Sequence, residues 1–175
     1  MSVHTGLTTF AEFEKLADPP AGHYELHHGE LAHLPPRKKF QMKIQLTLFG
    51  LLLPLVKGRG FLTIEFGFRP ASEYEAWQAD IGFVSQERWD KDTNEYFLGA
   101  PDVVVEVLSP SNTMDEINDK TALCMANGCV SFWVVDPKRK RVSVTEGNIT
   151  KHYGESEAVS CPILAGEIRV QDIFE

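Results

Sequence analysis

The sequence predicts an α/β protein in which helices flank a mixed central sheet, built as one domain. Three observations carry this. Five segments, at 61–69, 78–84, 101–108, 130–135 and 141–145, are rich in β-branched and aromatic residues. Helical apolar spacing precedes them at 10–16 and 38–53, and returns at 115–127 between the third strand and the fourth. With 175 residues, 43% of them hydrophobic, the chain is long enough to bury a core and hold a rigid site.

Thr9-Phe10-Ala11-Glu12 has a capping-box pattern, with Phe10, Phe13 and Leu16 following at helical spacing until Asp18-Pro19-Pro20. Residues 24–27 and 30–33 flank His28-Gly29, which reads as a hairpin turn. Phe40, Ile44, Leu48, Leu51 and Leu52 place an apolar stripe on the second helix, closed by Pro54. Gly58-Arg59-Gly60 then turns the chain into the strands. Residues 85–99 are polar with scattered aromatics, a loop or short helix, and Asn127-Gly128 stops the third helix.

A formal net charge of −8 opposes strong non-specific attraction to nucleic acid. Two basic clusters stand against that balance. Arg37-Lys38-Lys39 with Lys43 opens the second helix, where it meets either phosphate or solvent. Lys138-Arg139-Lys140-Arg141 follows Asp136-Pro137 and reads as a solvated hairpin tip. No run approaches the roughly 18 apolar residues of a membrane helix; the stretch 46–56 is too short and carries Pro54. Residues 1–9 lack the basic and apolar regions of a signal peptide. Cys124, Cys129 and Cys161 are odd in number and form no Cys-x-x-Cys pair, so they read as reduced core thiols of a cytoplasmic protein.

Strand 101–108 carries Glu106 within an apolar run and ends in Ser109-Pro110-Ser111-Asn112. A carboxylate buried beside valines is costly unless a cation or hydrogen bonds compensate it. Asp80 enters strand 78–84 in the same way. Two acids on neighbouring strands suggest a divalent cation. A hard ion such as Mg²⁺, or Mn²⁺ in its place, takes oxygen ligands and keeps several waters, so Asp80, Glu106 and the Val107 carbonyl suffice. Asp102 shares the face of Glu106 but lies four residues away, about 13 Å at roughly 3.3 Å per residue. It is therefore assigned to capping the strand. Lys120, taken alone, is a solvent-facing partner of Glu116 at i+4. One short turn after Glu106, it can instead project back over the strand end, orient and help deprotonate a metal-bound water, and stabilise charge developing on phosphate.

In order along the chain, Tyr24-Glu25-Leu26-His27-His28-Gly29-Glu30-Leu31, Asp80-Ile81-Gly82-Phe83-Val84, residues 101–112, Lys120 and residues 127–136 resemble the Uma-two-type family of nucleases. That family is a branch of the PD-(D/E)XK superfamily, and the resemblance runs from about residue 8 to the C-terminus. It implies a restriction-endonuclease-like fold with Asp80 and Glu106 as metal-binding acids. Leu108 occupies the usual lysine position two residues after the glutamate, and the family supplies that lysine from the following helix, where Lys120 falls. Glu30 matches a family acid near the first hairpin and is a further catalytic candidate; Glu25 matches too, as a site acid or a structural ion-pair partner. Phe40 stands where family members often carry a histidine, and Cys124 where a tyrosine is common. The implied activity is Mg²⁺-dependent hydrolysis of a DNA phosphodiester. Cutting both strands of a duplex usually needs two sites, so a homodimer is compatible with the mechanism.

The alternative is a catalytically silent nuclease fold used for protein or nucleic-acid binding. The acidic balance and Phe40 favour it, while intact Asp80, Glu106 and Lys120 oppose it. His23, His27, His28 and His33 crowd one hairpin, but His27 and His28 point to opposite faces and no cysteine lies near, which disfavours zinc. Ser109 and Ser111 lack a Gly-x-Ser-x-Gly elbow, and Ser111 or Asn112 better caps the next helix.

Overall fold

The chain is described by a computed structural model covering residues 6–71, 73–110 and 112–175. A short helix α1 (Phe10–Phe13) leads to the hairpin β1 (His23–His27) and β2 (Glu30–Leu34), then to helix α2 (Lys39–Val56). Next come β3 (Gly60–Arg69), β4 (Trp77–Ser85), α3 (Gln86–Lys91), β5 (Phe97–Leu98) and β6 (Val103–Val107). Helix α4 (Met114–Ala126) crosses to β7 (Ser131–Asp136), followed by β8 (Arg141–Glu146) and β9 (Ile149–Tyr153). The chain ends with β10 (Ala158–Cys161), β11 (Gly166–Arg169) and α5 (Val170–Phe174).

Seven strands form one sheet in the order β5-β3-β4-β6-β7-β8-β9. It is mixed: β6 and β7 run parallel because α4 returns the chain, whereas β3-β4, β4-β6, β7-β8 and β8-β9 are antiparallel. One face packs Ile44, Leu48, Leu52 and Val56 of α2, with the β10-β11 hairpin and α5, against Ile81, Phe83, Val103, Val105 and Trp133. The other packs Cys124 of α4 against Phe66, Ala79, Val104 and Phe132. None of the described helices is long and apolar enough to cross a membrane.

The predicted strands all form, with boundaries shifted by a residue or two. Helix α2 runs past the expected stop at Leu53 and takes in Pro54. A proline there removes the bond to the Gly50 carbonyl, and Gly50 is exposed, so water satisfies that group at little cost. Residues 85–99 resolve into α3 and the two-residue β5. Strand β9 is exposed at four of its five positions, so no apolar alternation announced it; pairing with β8 makes it a strand. Residues 137–140 form the β7-β8 turn, where Asp136 accepts from the amides of Lys138 and Arg139 at 3.0 Å each. The three cysteines are free and buried, and burial pushes their thiols up, Cys129 to about 12.

One local distortion positions the site. Glu65 adopts a left-handed backbone (φ 52°), and the β3-β4 ladder skips the Glu65-Asp80 pair. Before the skip, Leu62 and Ile64 pack on the α2 face; after it, Phe66 and Phe68 pack on the α4 face. Strand β4 reverses in step, from Trp77 and Ala79 on the α4 face to Ile81 and Phe83 on the other. Asp80 sits at that reversal. Phe66 lies across Gly82, where an added Cβ would meet the Phe66 Cβ at 2.6 Å.

Candidate active site

The β4-β6 ladder pairs Ile81 with Val105, Gly82 with Val104 and Phe83 with Val103. One residue further along that register Asp80 stands on the side of Glu106, but the ladder ends at Ile81. Beyond Ile81 the strands part, and the Val107 amide donates to Asp80 Oδ2 at 2.6 Å instead of to a backbone carbonyl. The other Asp80 oxygen accepts from Arg37 Nη1, and Gln45 of α2 donates to the Asp80 carbonyl at 2.6 Å.

Lys120 arrives from above. Thr113 caps α4 and closes a capping box with Glu116, so the Glu116 carboxylate is occupied at the helix start. Ile117, Lys120 and Cys124 form the buried face of α4. Lys120 Nζ lies 2.8 Å from Glu106 Oε1 and donates to the Gln78 carbonyl at 2.8 Å. Burial alone would lower the lysine, but the charges of Glu106 and Glu25 outweigh it and raise its pKa well above the ordinary value. Lys120 is therefore a cation at neutral pH. Burial dominates at Glu106 and raises its carboxyl in spite of Lys120. The expected cap at Asn112 takes another form, since its Oδ1 accepts from the Ser109 amide at 2.8 Å; Ser111 lies outside the described residues.

The hairpin β1-β2 closes the site from the third side. The Leu26-Ala76 bridge docks it on the start of β4, and Glu25 Oε1 accepts from the Gln78 amide at 3.1 Å. Glu25 Oε2 lies 2.6 Å from His27 Nε2, and His23 Nε2 is 3.4 Å from the other oxygen. Burial would raise this carboxyl, yet Lys120 and the bonds from His23 and His27 together hold it well below the carboxylate range.

These groups line one cleft of about 380 Å³, which holds Asp80, Glu106, Val107 and Lys120 together. Glu30 is not among its lining residues: it is exposed on β2, paired in register with His27. The acid that the hairpin delivers is Glu25. Arg37, His23, His27, Gln41 and Gln78 also line the cleft without having been predicted as site residues. For Arg37 the signal was the basic cluster opening the second helix. For the histidines and Gln78 only the docking of the hairpin shows it.

Asp102 stands apart from the cleft. It accepts from the Ser85 amide at 2.7 Å and from Arg88 Nη1 at 2.9 Å, tying α3 to the start of β6. Asp102→Asn is expected to cost about 2 kcal/mol, the scale of a hydrogen bond to a charged group, with divalent-metal affinity unchanged. Thermal melting and calorimetry on the same variant check both halves.

The donor set suits a hard cation. Glu106 Oε1 is buried and, despite the nearby ammonium, receives no hydrogen bond of good geometry among the described residues. Asp80 and Val107 bring further oxygens to the same cleft. Among the described residues no three His, Cys, Asp or Glu side chains gather as a metal cluster. The fit is thus to an ion that needs two carboxylates and a main-chain carbonyl and keeps its remaining waters.

The Uma2 family, described as "Putative restriction endonuclease", matches residues 10–170 of the chain. A crystal structure of "a putative nuclease belonging to DUF820" from Anabaena variabilis ATCC 29413 superimposes with a TM-score of 0.84. The match covers 95% of this chain and 97% of that one, at 22% identity. At that identity the likeness speaks for the fold, and the nuclease-like mixed sheet expected from the sequence is the fold observed. No curated protein matches the chain.

Proposed function

The chain belongs to the Uma2 family, and on that footing we propose that it is a divalent-metal-dependent endonuclease hydrolysing phosphodiester bonds of DNA. The observation that carries this reading is the convergence of Asp80, Glu106 and Lys120 in one cleft from three separate elements. Asp80, Glu106 and the Val107 carbonyl would hold Mg²⁺, or Mn²⁺ in its place. When bound, such an ion polarises a phosphoryl oxygen and makes water a stronger nucleophile.

The chain's own groups do the rest. Lys120 is charged, fixed at both Glu106 and Gln78, and aimed at the strand end, so it stabilises negative charge developing on a phosphate there. Its raised pKa makes it an electrostatic and positioning group, not a proton acceptor. Glu25 keeps a fixed negative charge behind the lysine and orients His23 and His27 along the cleft wall. We assign Glu30 no part in the reaction.

One observation favours a silent fold used for binding: Asp80 and Glu106 each already face a protein cation. Calorimetric titration of Mg²⁺ and Mn²⁺, with plasmid nicking on the same samples, separates the two readings. Wild type is expected to bind metal and nick, and Glu106→Gln and Asp80→Asn to lose both, with nicking down by at least about 10²-fold. A wild-type protein that binds neither ion leaves only the silent fold. Linear plasmid at early times would indicate paired sites, as a homodimer provides.

A further inference from the structure

The two acids proposed to hold the ion are neutralised by side chains of the chain itself, Glu106 by Lys120 and Asp80 by Arg37. The two cations differ in how they are held. Lys120 comes from the buried face of α4 and is fixed by the Gln78 carbonyl as well. Arg37 precedes the first turn of α2, and its second contact is Nε to Glu65 at 3.3 Å, a carboxylate that is half exposed. Lys38, next to it, also lines the cleft.

A guanidinium resting on Asp80 and a divalent cation bound by Asp80 exclude each other: they compete for one carboxylate, and their like charges repel. Arg37 must therefore leave Asp80 when an ion arrives. A phosphodiester is the natural acceptor for it, since a guanidinium fork matches two phosphate oxygens and the start of an 18-residue helix favours an anion beside it. We propose that Arg37 is an exchangeable counter-ion that passes from Asp80 to a substrate phosphate, so that nucleic acid and metal each strengthen the binding of the other. This rests on the nuclease reading above. By reciprocity the strengthening is the same whichever ligand binds first, and couplings of this kind are typically about 5- to 150-fold.

The test titrates Ca²⁺ calorimetrically into the protein alone and into the protein saturated with a short DNA duplex, with the duplex checked for intactness on a gel. Wild type is expected to bind Ca²⁺ at least about fivefold more tightly with duplex present. Arg37→Gln frees Asp80: Ca²⁺ binding to the protein alone should tighten by roughly tenfold, and the duplex effect should fall towards unity. Arg37→Lys keeps a charge but not the fork, so its coupling should lie between the two; it decides the matter if the Gln variant does not fold. Unchanged or weaker Ca²⁺ binding by folded Arg37→Gln, or undiminished coupling in either variant, overturns the proposal. If wild type binds metal and nicks DNA while Arg37→Gln behaves identically, this inference alone fails. If wild type binds neither Ca²⁺ nor Mn²⁺ with or without duplex, the nuclease reading falls with it.

Discussion

Lys120→Met is expected to cut plasmid nicking by about 10²- to 10³-fold, the cost of losing one preorganised charge-stabilising donor, while metal binding persists. The same change breaks a buried ion pair and leaves Glu106 without its cation. Removing one partner of such a pair typically costs about 3–5 kcal/mol. Burial already raises Glu106, so the orphaned carboxyl takes up a proton more readily still in the metal-free protein. On the proposed function, added Mg²⁺ would restore the missing positive charge. The variant should therefore melt well below wild type without metal and recover part of the difference with it, a signature that a purely structural lysine would not produce. Nicking within twofold of wild type, in a folded variant, would remove Lys120 from the reaction.

Glu25→Gln is expected to be the most damaging change in the hairpin. Glu25 is 5% exposed, and its two oxygens serve His23, His27 and the Gln78 amide. At neutral pH the loss should be about 3 kcal/mol, or roughly 6–12 °C in melting temperature for a chain of this size. The pH dependence separates this role from simple packing. The Glu25 pKa is depressed below its ordinary 4.5 in the folded protein, so its contribution is complete above that pH and fades as the pH falls towards the folded value. Glu106 has the opposite sign: its pKa is raised, so its contribution is complete below 4.5 and is lost as the pH climbs through the folded value. The stability gap between wild type and Glu25→Gln should hold at neutral pH and close progressively below pH 4.5. A gap independent of pH across that range would show that Glu25 acts by shape and not by charge.

The strands and the crossover helix were legible because burial on both faces demands apolar, β-branched runs, and those runs stand out at 78–84, 101–108 and 130–135. Asp80 and Glu106 were legible for the same reason: an acid within such a run has to be compensated. Lys120 was ambiguous, because its spacing from Glu116 serves a surface ion pair equally well. Only the capping box at Thr113, which engages Glu116 and turns Ile117, Lys120 and Cys124 towards the sheet, resolved it. Strand β9 and the path of α2 through Pro54 were hidden because both depend on exposed backbone, where side-chain pattern carries little information.

The sequence by itself determined the layered α/β architecture and the acids that need a cation, since both follow from which residues water excludes. Tertiary structure decided which cations answer them. Arg37 meets Asp80 across 43 positions, and Glu25 reaches the Gln78 amide across 53. It also decided that Glu25, not Glu30, lines the cleft: the two share one face of the hairpin, but Glu25 sits where the hairpin docks on β4, whereas Glu30 is exposed beside the turn. Contacts between distant segments depend on register and on the reversal at Glu65 and Asp80. A strand's local pattern is blind to both, because a shift of one residue exchanges its faces without changing its composition.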